Sequence, residues 1–254
     1  MRALDYNLTI SKIQEWIRDF VESAQVDGVI VGMSGGIDST LISTLCVNAI
    51  GREHVIGLGL PCLSIPQDLN DAKMVADQLG IDFIVFDLSS VFEEFLKITS
   101  AQIEPNIMAK ANLKARLRML TNYFVGQSKG RFLVAGTGNR TELAIGYFTK
   151  YGDGGVDFEP IGGLYKCEVG EIARILKIPE SIINKPPSAG LWEGQTDEGE
   201  IGMTYDVVDE IIYRIDYNLN LSDLSKYNIK KVKRMMSMSK HKLRMAPAYE
   251  IFKR

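Results

Sequence analysis

Val29-Ile30-Val31-Gly32-Met33-Ser34-Gly35-Gly36-Ile37-Asp38-Ser39-Thr40 is the stretch from which the rest of the sequence is read. An apolar run of strand type stops at a Ser-Gly-Gly turn. Beyond it, Leu41, Ile42, Leu45, Cys46 and Ile50 have the spacing of the buried face of a helix. Strand, glycine turn and helix start together make an anion site. The glycines let the backbone approach closely with its N–H groups exposed, and the helix end adds partial positive charge. Asp38 contributes a carboxylate able to hold a metal beside phosphates. The competing reading is an ordinary strand–helix turn capped by Ser34, Asp38 or Ser39.

The whole Ser-Gly-Gly-x-Asp-Ser string resembles the pyrophosphate loop of the N-type ATP pyrophosphatases, which cleave ATP between the α and β phosphates. No lysine precedes Ser39, so the string is not the Gly-x-x-x-x-Gly-Lys-Ser/Thr loop of kinases and GTPases. That points away from γ-phosphoryl transfer.

Outward from this loop, helices are expected over residues 4–24, 38–50, 67–79, 91–99 and 107–126, with strands over 54–60, 81–86 and 132–136. Gly80 suits the C′ position of the third helix. Strands that are apolar nearly throughout and separated by helices imply an α/β fold: a doubly wound parallel sheet covered by helices on both faces. Ligands in such sheets sit beyond the C-terminal strand ends. A second glycine turn, Gly136-Thr137-Gly138-Asn139, follows the fourth strand and falls on that same edge. After residue 146 come a glycine-rich segment to Gly155, helices over 166–176, 205–217 and 229–238, and a Pro/Gly-bearing loop over 185–200. A loop of that length in a compact domain is a functional lid or a linker; Leu191-Trp192 favours the mobile lid.

The composition is that of an ordinary globular protein, 254 residues with 46% hydrophobic and 24% charged. No run approaches the ~20 apolar residues of a membrane span, and the N-terminus does not resemble a signal peptide. Cys46, Cys62 and Cys167 have no metal-ligand spacing, so a reduced, cytoplasmic protein is expected. Residues 230–254 hold nine Lys or Arg against the single acid Glu250. They lack the interleaved aromatics of a nucleic-acid patch, so neither nucleic acid nor membrane is an expected partner.

Further motifs are similar to those of the ammonia-dependent NAD⁺ synthetases nearly from end to end. They are Asn112-Leu113-Lys114-Ala115-Arg116-Leu117-Arg118, Gly136-Thr137-Gly138-Asn139-Arg140-Thr141-Glu142, Gly146-Tyr147-Phe148-Thr149-Lys150-Tyr151-Gly152-Asp153-Gly154-Gly155, Leu164-Tyr165-Lys166, Pro187-Ser188-Ala189-Gly190-Leu191-Trp192, Gly194-Gln195-Thr196-Asp197-Glu198 and His241-Lys242. The resemblance implies one synthetase domain over 1–254, with a Rossmann-like sheet of about five strands of the adenine nucleotide alpha hydrolase type. In that family the nicotinate carboxylate of deamido-NAD⁺ attacks the α-phosphorus of ATP. Pyrophosphate leaves, and ammonia displaces AMP from the acyl adenylate.

By this resemblance, Gly32, Met33, Ser34, Gly35, Gly36, Ile37, Asp38, Ser39, Thr137, Lys166 and Ser188 contact ATP. Asp38 and Glu142 hold Mg²⁺. Arg116, Lys150, Asp157, His241 and Lys242 hold deamido-NAD⁺, and the basic terminus folds over that anionic substrate. Asp38, Lys166 and Asp153 form the catalytic group, Asp153 binding ammonium or accepting its proton. A helix-capping role for Glu142 and a turn-stabilising role for Asp153 are the structural alternatives. Arg118 lies about 200° around a helix from Arg116, so the two do not face one ligand equally. The resemblance further implies a homodimer with the dinucleotide site partly at the interface. No glutaminase segment is evident, so free ammonia or ammonia from a separate protein is the expected nitrogen source. Residues 59–68 depart from the family in lacking an arginine near the adenine. The rival functions are another N-type ATP pyrophosphatase acting on a different acceptor, and a non-catalytic adenine-nucleotide-binding module.

Overall fold

The computed structural model describes residues 2–188, 190, 192 and 194–249. Ala189, Leu191 and Glu193 of the 185–200 loop, and Glu250 of the basic terminus, lie outside the described residues. The central strand is β1 (Gly28–Gly32), buried along almost its whole length. Its side chains alternate between two cores, as the two-residue period of a strand requires. Val29 and Val31 face one cluster with Leu41, Ile42 and Ile172, while Ile30 faces the other with Leu58, Phe92 and Val125. A strand buried on both faces needs the unbroken apolar run seen in the sequence.

The strands β2 (Val55–Gly59), β3 (Asp82–Val85) and β4 (Phe132–Ala135) join β1 in a parallel sheet of order β3-β2-β1-β4. Register pairs Val29 with Val55 on one side and with Leu133 on the other. The chain runs outward from β1 through β2 to β3, then returns to place β4 on the opposite side of β1. The order reverses between β1 and β4, and a crevice opens there at the C-terminal strand ends.

Helices α1 (Tyr6–Ala24), α2 (Ile37–Ile50) and α3 (Pro66–Leu79) contribute to the first core. On the opposite face, α4 (Ser89–Ser100) and α5 (Ile107–Lys129) contribute to the second. Beyond β4 come α6 (Arg140–Ile145), α7 (Lys166–Ile175), the short α8 (Glu180–Ile183) and α9 (Asp197–Ile201), α10 (Tyr205–Asp216) and α11 (Lys226–Ser239). A third cluster joins α6, α10 and α11 through Ile145, Tyr205, Val208, Ile212 and Val232. No helix among the described residues is long and apolar enough to cross a membrane.

The expectation of about five strands is corrected to four among the described residues. The place beside β4 is taken by residues 157–159, reduced to a single bridge between Ala135 and Phe158. The Asp157 carboxylate accepts the Val134 N–H at 2.7 Å where a ladder carbonyl would sit, and Pro160 supplies no further donor. The expectation of apolar, doubly buried strands also weakens at β3. This edge strand exposes Asp82 and Val85.

Gly146 ends α6 in the left-handed region at φ 71°, and a Cβ there would lie 2.0 Å from the Cβ of Ser239. Its missing side chain is what seats α11 on α6. Gly146→Ala should therefore lower the unfolding free energy by at least about 1–3 kcal/mol through overpacking. An unchanged urea midpoint would refute that seating.

Candidate active site

The site is built from helix starts that converge on the β1/β4 crevice. After β1, the Ser34 N–H and Oγ meet Ser39 Oγ at 3.2 and 3.1 Å, and Ser39 Oγ also lies 3.1 Å from Gly36 O. These bonds fold Ser34–Ser39 into a compact turn. Gly35 has φ 73°, and a Cβ on it would stand 2.2 Å from the Asp68 carbonyl, so only glycine fits. Gly36 is the N-cap of α2 and offers no side-chain cap. The first-turn N–H groups of α2 therefore remain available to an anion. Met33 is buried beneath the turn, and Gly32 faces Asn122 of α5.

After β4, Asn139 caps α6 and forms a reciprocal capping box with Glu142. Glu142 thus fills the structural role open to it and points its other oxygen inward. Asn139 Nδ2 also donates to Asp38 Oδ1 at 3.1 Å, tying the two loops together across the crevice. Lys166, the first residue of α7, places its Nζ 2.5 Å from Asp38 Oδ2 and 3.0 Å from Glu142 Oε1. The three side chains are largely shielded from solvent. Burial opposes the Lys166 charge, but Asp38 and then Glu142 outweigh it and hold the ammonium above its ordinary range. Burial pushes the Glu142 carboxyl upward against the pull of Lys166, and Asp38 adds repulsion. The Tyr205 ring lies 5.2 Å from Lys166 Nζ.

One positive charge thus sits between two carboxylates beside the Ser34–Ser39 turn. Among the described residues, no group of three or more His, Cys, Asp or Glu is arranged around a metal. Two converging carboxylates nevertheless suit Mg²⁺, which takes one or two protein carboxylates and completes its shell with phosphate oxygens and water.

The NAD synthase family model matches residues 9–246. The chain belongs to this family. It is 43% identical over 257 residues to the NH(3)-dependent NAD(+) synthetase of Methanosarcina acetivorans, covering 98% of this chain and 100% of that protein. Among solved structures, an NMN synthetase from Francisella tularensis is similar at a TM-score of 0.89 and 32% identity, covering 98% of this chain and 100% of that one. An NH3-dependent NAD synthetase from Campylobacter jejuni, in complex with nitrate ion, is similar at 0.84 and 30% with the same coverage.

The fold of this NAD synthase family chain gathers most of the residues singled out in its sequence. Arg116 donates to the Lys150 carbonyl at 3.4 Å, and Lys150 Nζ reaches the His241 carbonyl. Lys242 Nζ donates to the carbonyls of Gly146 and Phe148 at 2.7 and 2.6 Å. The start of the basic terminus is therefore fastened to the glycine-rich segment. Asp157 is engaged on both oxygens, by the Val134 N–H and by Tyr123 at 3.1 Å. Asp153 Oδ1 accepts the Thr149 N–H at 2.9 Å, the turn-stabilising role open to it. Ser188 is exposed and accepts the Gly190 N–H at 3.1 Å. Arg118 faces away from Arg116, donating to Leu60 O at 3.1 Å and Ser64 Oγ at 3.0 Å. Helix α5 thereby delivers a guanidinium to the 59–68 segment that has no arginine of its own.

Sequence reasoning missed several residues. Lys185 at the start of the 185–200 loop pairs with Asp68 and Asp71, both at 2.7 Å, and reaches Gly35 O at 3.3 Å. At the other end, Gln195 and Asp197 of the quoted motif, assigned no role from sequence, are buried where the loop passes into α9, with Tyr147 and Tyr205 bonded to Asp197 at 3.1 and 3.0 Å. Glu159 carries no motif signal, since it lies between Phe158 and Pro160 in an irregular segment. Its carboxylate lies flat against the second glycine turn. A Cβ on Gly136 would approach Glu159 Oε2 to 2.2 Å, and Oε2 accepts the Gly138 N–H at 3.0 Å. Beside it is a cavity of about 40 Å³ lined by Thr137, Glu142, Phe148, Asp153 and Glu159.

Burial raises the Glu159 carboxyl to about 8, with the Gly138 N–H pulling the other way. The folded protein keeps a proton that the unfolded chain releases near pH 4.3. This group's stabilisation is complete below that value and is lost as pH rises towards about 8. Glu159→Gln should therefore gain in melting temperature relative to wild type between about pH 5 and pH 8. A constant difference across that range would contradict the assignment.

Proposed function

We propose that this chain makes NAD⁺ by amidating deamido-NAD⁺ with ammonia at the expense of ATP, releasing AMP and pyrophosphate through an acyl adenylate. The observation that carries the reading is the convergence of Asp38 and Glu142 on Lys166 at an uncapped helix start, in a chain of the NAD synthase family. Cleavage between the α and β phosphates develops charge on pyrophosphate, and positioned N–H groups and cations are the means of stabilising it. In this reading Ser34 to Ser39 cradle the phosphates, with Gly32, Met33, Thr137 and Ser188 completing the ATP contacts. Lys166 is a compact charge on a flexible stem, suited to a leaving group that moves. Mg²⁺ would be held by Asp38 and Glu142, supplying charge neutralisation for the phosphates.

Arg116, Lys150, Asp157, His241 and Lys242 are assigned to deamido-NAD⁺. Asp153 borders a cavity large enough for a molecule the size of water. Ammonia has that size, and Asp153 is assigned to bind ammonium or take its proton. Residues 185–200 are assigned as the lid over this site. The chain is further assigned as a cytoplasmic homodimer. Arg116, Leu120 and Phe124 form one exposed stripe on α5 at four-residue spacing, with Leu120 60% and Phe124 68% exposed, and Phe95 and Ile98 of α4 are exposed as well. A second copy covering this stripe would bring the interface to the dinucleotide contact at Arg116.

Incubation with ATP, Mg²⁺, ammonium and deamido-NAD⁺ should give NAD⁺ and AMP in equal amounts. AMP that does not depend on deamido-NAD⁺ would overturn the reading. Because the Francisella tularensis neighbour is an NMN synthetase, nicotinate mononucleotide is the second acceptor to test. Deamido-NAD⁺ should be used with the higher kcat/KM; the reverse order would reassign the acceptor. Asp38→Asn should abolish AMP formation with an unchanged circular dichroism spectrum. Phe124→Asp should halve the mass measured by light scattering, and a monomeric wild type would exclude the dimer.

A further inference from the structure

Helix α10 carries Asp209 and Asp216 seven residues apart, on one face. Each binds the starts of the same two helices. Asp209 is 1% exposed. Its Oδ1 accepts the hydroxyl of Thr141 in the first turn of α6, and its Oδ2 accepts the N–H of Cys167 in the first turn of α7 at 2.9 Å. Thr141 Oγ1 in turn accepts the Lys166 N–H at 3.1 Å. Asp216 repeats the pattern two turns along α10. It takes Arg140 of α6 in a two-bond pair at 2.9 and 2.5 Å and the hydroxyl of Tyr165, the N-cap of α7, at 2.8 Å.

The residues adjacent to these anchor points are Glu142 and Lys166. Their side chains meet at 3.0 Å beside Asp38. The backbone of Lys166 is thus bound to the residue preceding Glu142, and Asp209 holds that junction from behind. Burying a carboxylate is costly, and a well-packed apolar pair would hold two helices at least as firmly. Stability of α7 is also served separately. Glu168, 1% exposed, accepts the Tyr165 N–H at 3.0 Å and pairs with Arg2 at 2.7 Å. What Asp209 adds is a fixed separation between α6 and α7.

We infer that Asp209 is a positioning residue for the ATP chemistry, acting through Thr141 and the Cys167 N–H to set Glu142 against Lys166, with Asp216 bracing the same pair. The inference rests on the assignment of Asp38, Glu142 and Lys166 to the phosphates. Asp209 touches no substrate; its effect passes through the geometry of the other two.

The test compares Asp209→Asn and Thr141→Val with Glu168→Gln, using AMP formation, separate KM values for ATP and deamido-NAD⁺, the Mg²⁺ half-saturation and the melting temperature. The amide of Asp209→Asn turns one donor towards a donor. Thr141→Val removes the same junction from the other end, so the test survives if one variant does not fold. Both should lose kcat by about 10- to 100-fold, as second partners of metal-site residues do, with KM for deamido-NAD⁺ unchanged. Thr141→Ser keeps the hydroxyl and should restore kcat. Glu168→Gln should lower the melting temperature while keeping kcat. Kcat falling in proportion to melting temperature across all the variants would reduce Asp209 to a structural role and overturn the proposal. A crystal structure of either variant with Lys166 Nζ still within hydrogen-bond distance of Glu142 would also overturn it, whatever the assay gives. Wild-type turnover separately decides the underlying assignment of the site.

Discussion

Two carboxylates that approach one point repel unless something positive lies between them. In this protein the charge is the Lys166 ammonium, and the two carboxylates come from opposite sides of the sheet's order reversal. Asp38 arrives with the turn after β1, and Glu142 with the turn after β4. The ammonium comes from a third element, α7, packed outside the sheet. Nothing local in the chain brings these three together, since they are spread over more than a hundred residues. The parallel order β3-β2-β1-β4 does it, by placing two loops on either side of one crevice. The unbroken apolar run of β1 suits it to the middle of that order, with Val29 and Val31 buried in one core and Ile30 in the other.

The site is also constrained by close backbone approach. Gly35 touches the Asp68 carbonyl and Gly136 touches the Glu159 carboxylate, so each of the two glycine turns is fitted against a partner from elsewhere in the chain. The glycines therefore do more than free the backbone to turn. They let a second layer press close behind the turn, and that layer carries acidic groups. Lys185 makes the same connection from the other direction, bridging Asp68 and Asp71 to the Gly35 carbonyl. The beginning of the 185–200 loop is consequently coupled to the shape of the Ser34–Ser39 turn.

Much of this was legible in the residues. Local signals carried β1, the helix after it, and both glycine turns, because strand period, helix period and glycine chemistry are written over short windows. Asp38, Glu142 and Lys166 were singled out through motif resemblance, each residue lying in a distinctive string, and the fold brings their side chains together. Asp209 was not, because an acid on an amphipathic helix has the look of a solvent-facing residue until the helix is rotated into place. Glu159 and Lys185 stand in irregular segments with no period at all. Arg118 was readable only in part: helix geometry separated it from Arg116, but its partners at Leu60 and Ser64 are set by the tertiary fold. The fifth strand failed for a related reason. Residues 157–159 are placed like a strand, but a carboxylate and a proline interrupt the ladder after one bridge.

That truncated ladder has a consequence for solubility. β4 is the outer strand on its side of the sheet, and an outer strand with open N–H groups is a template for pairing with another chain. Here the Asp157 carboxylate occupies the Val134 N–H and the Phe158 carbonyl occupies that of Gly136. The edge is closed by one charged side chain and one bridge, with no further strand among the described residues for a second copy to pair with. Asp157 therefore guards the sheet against edge-to-edge association while its other oxygen accepts the Tyr123 hydroxyl.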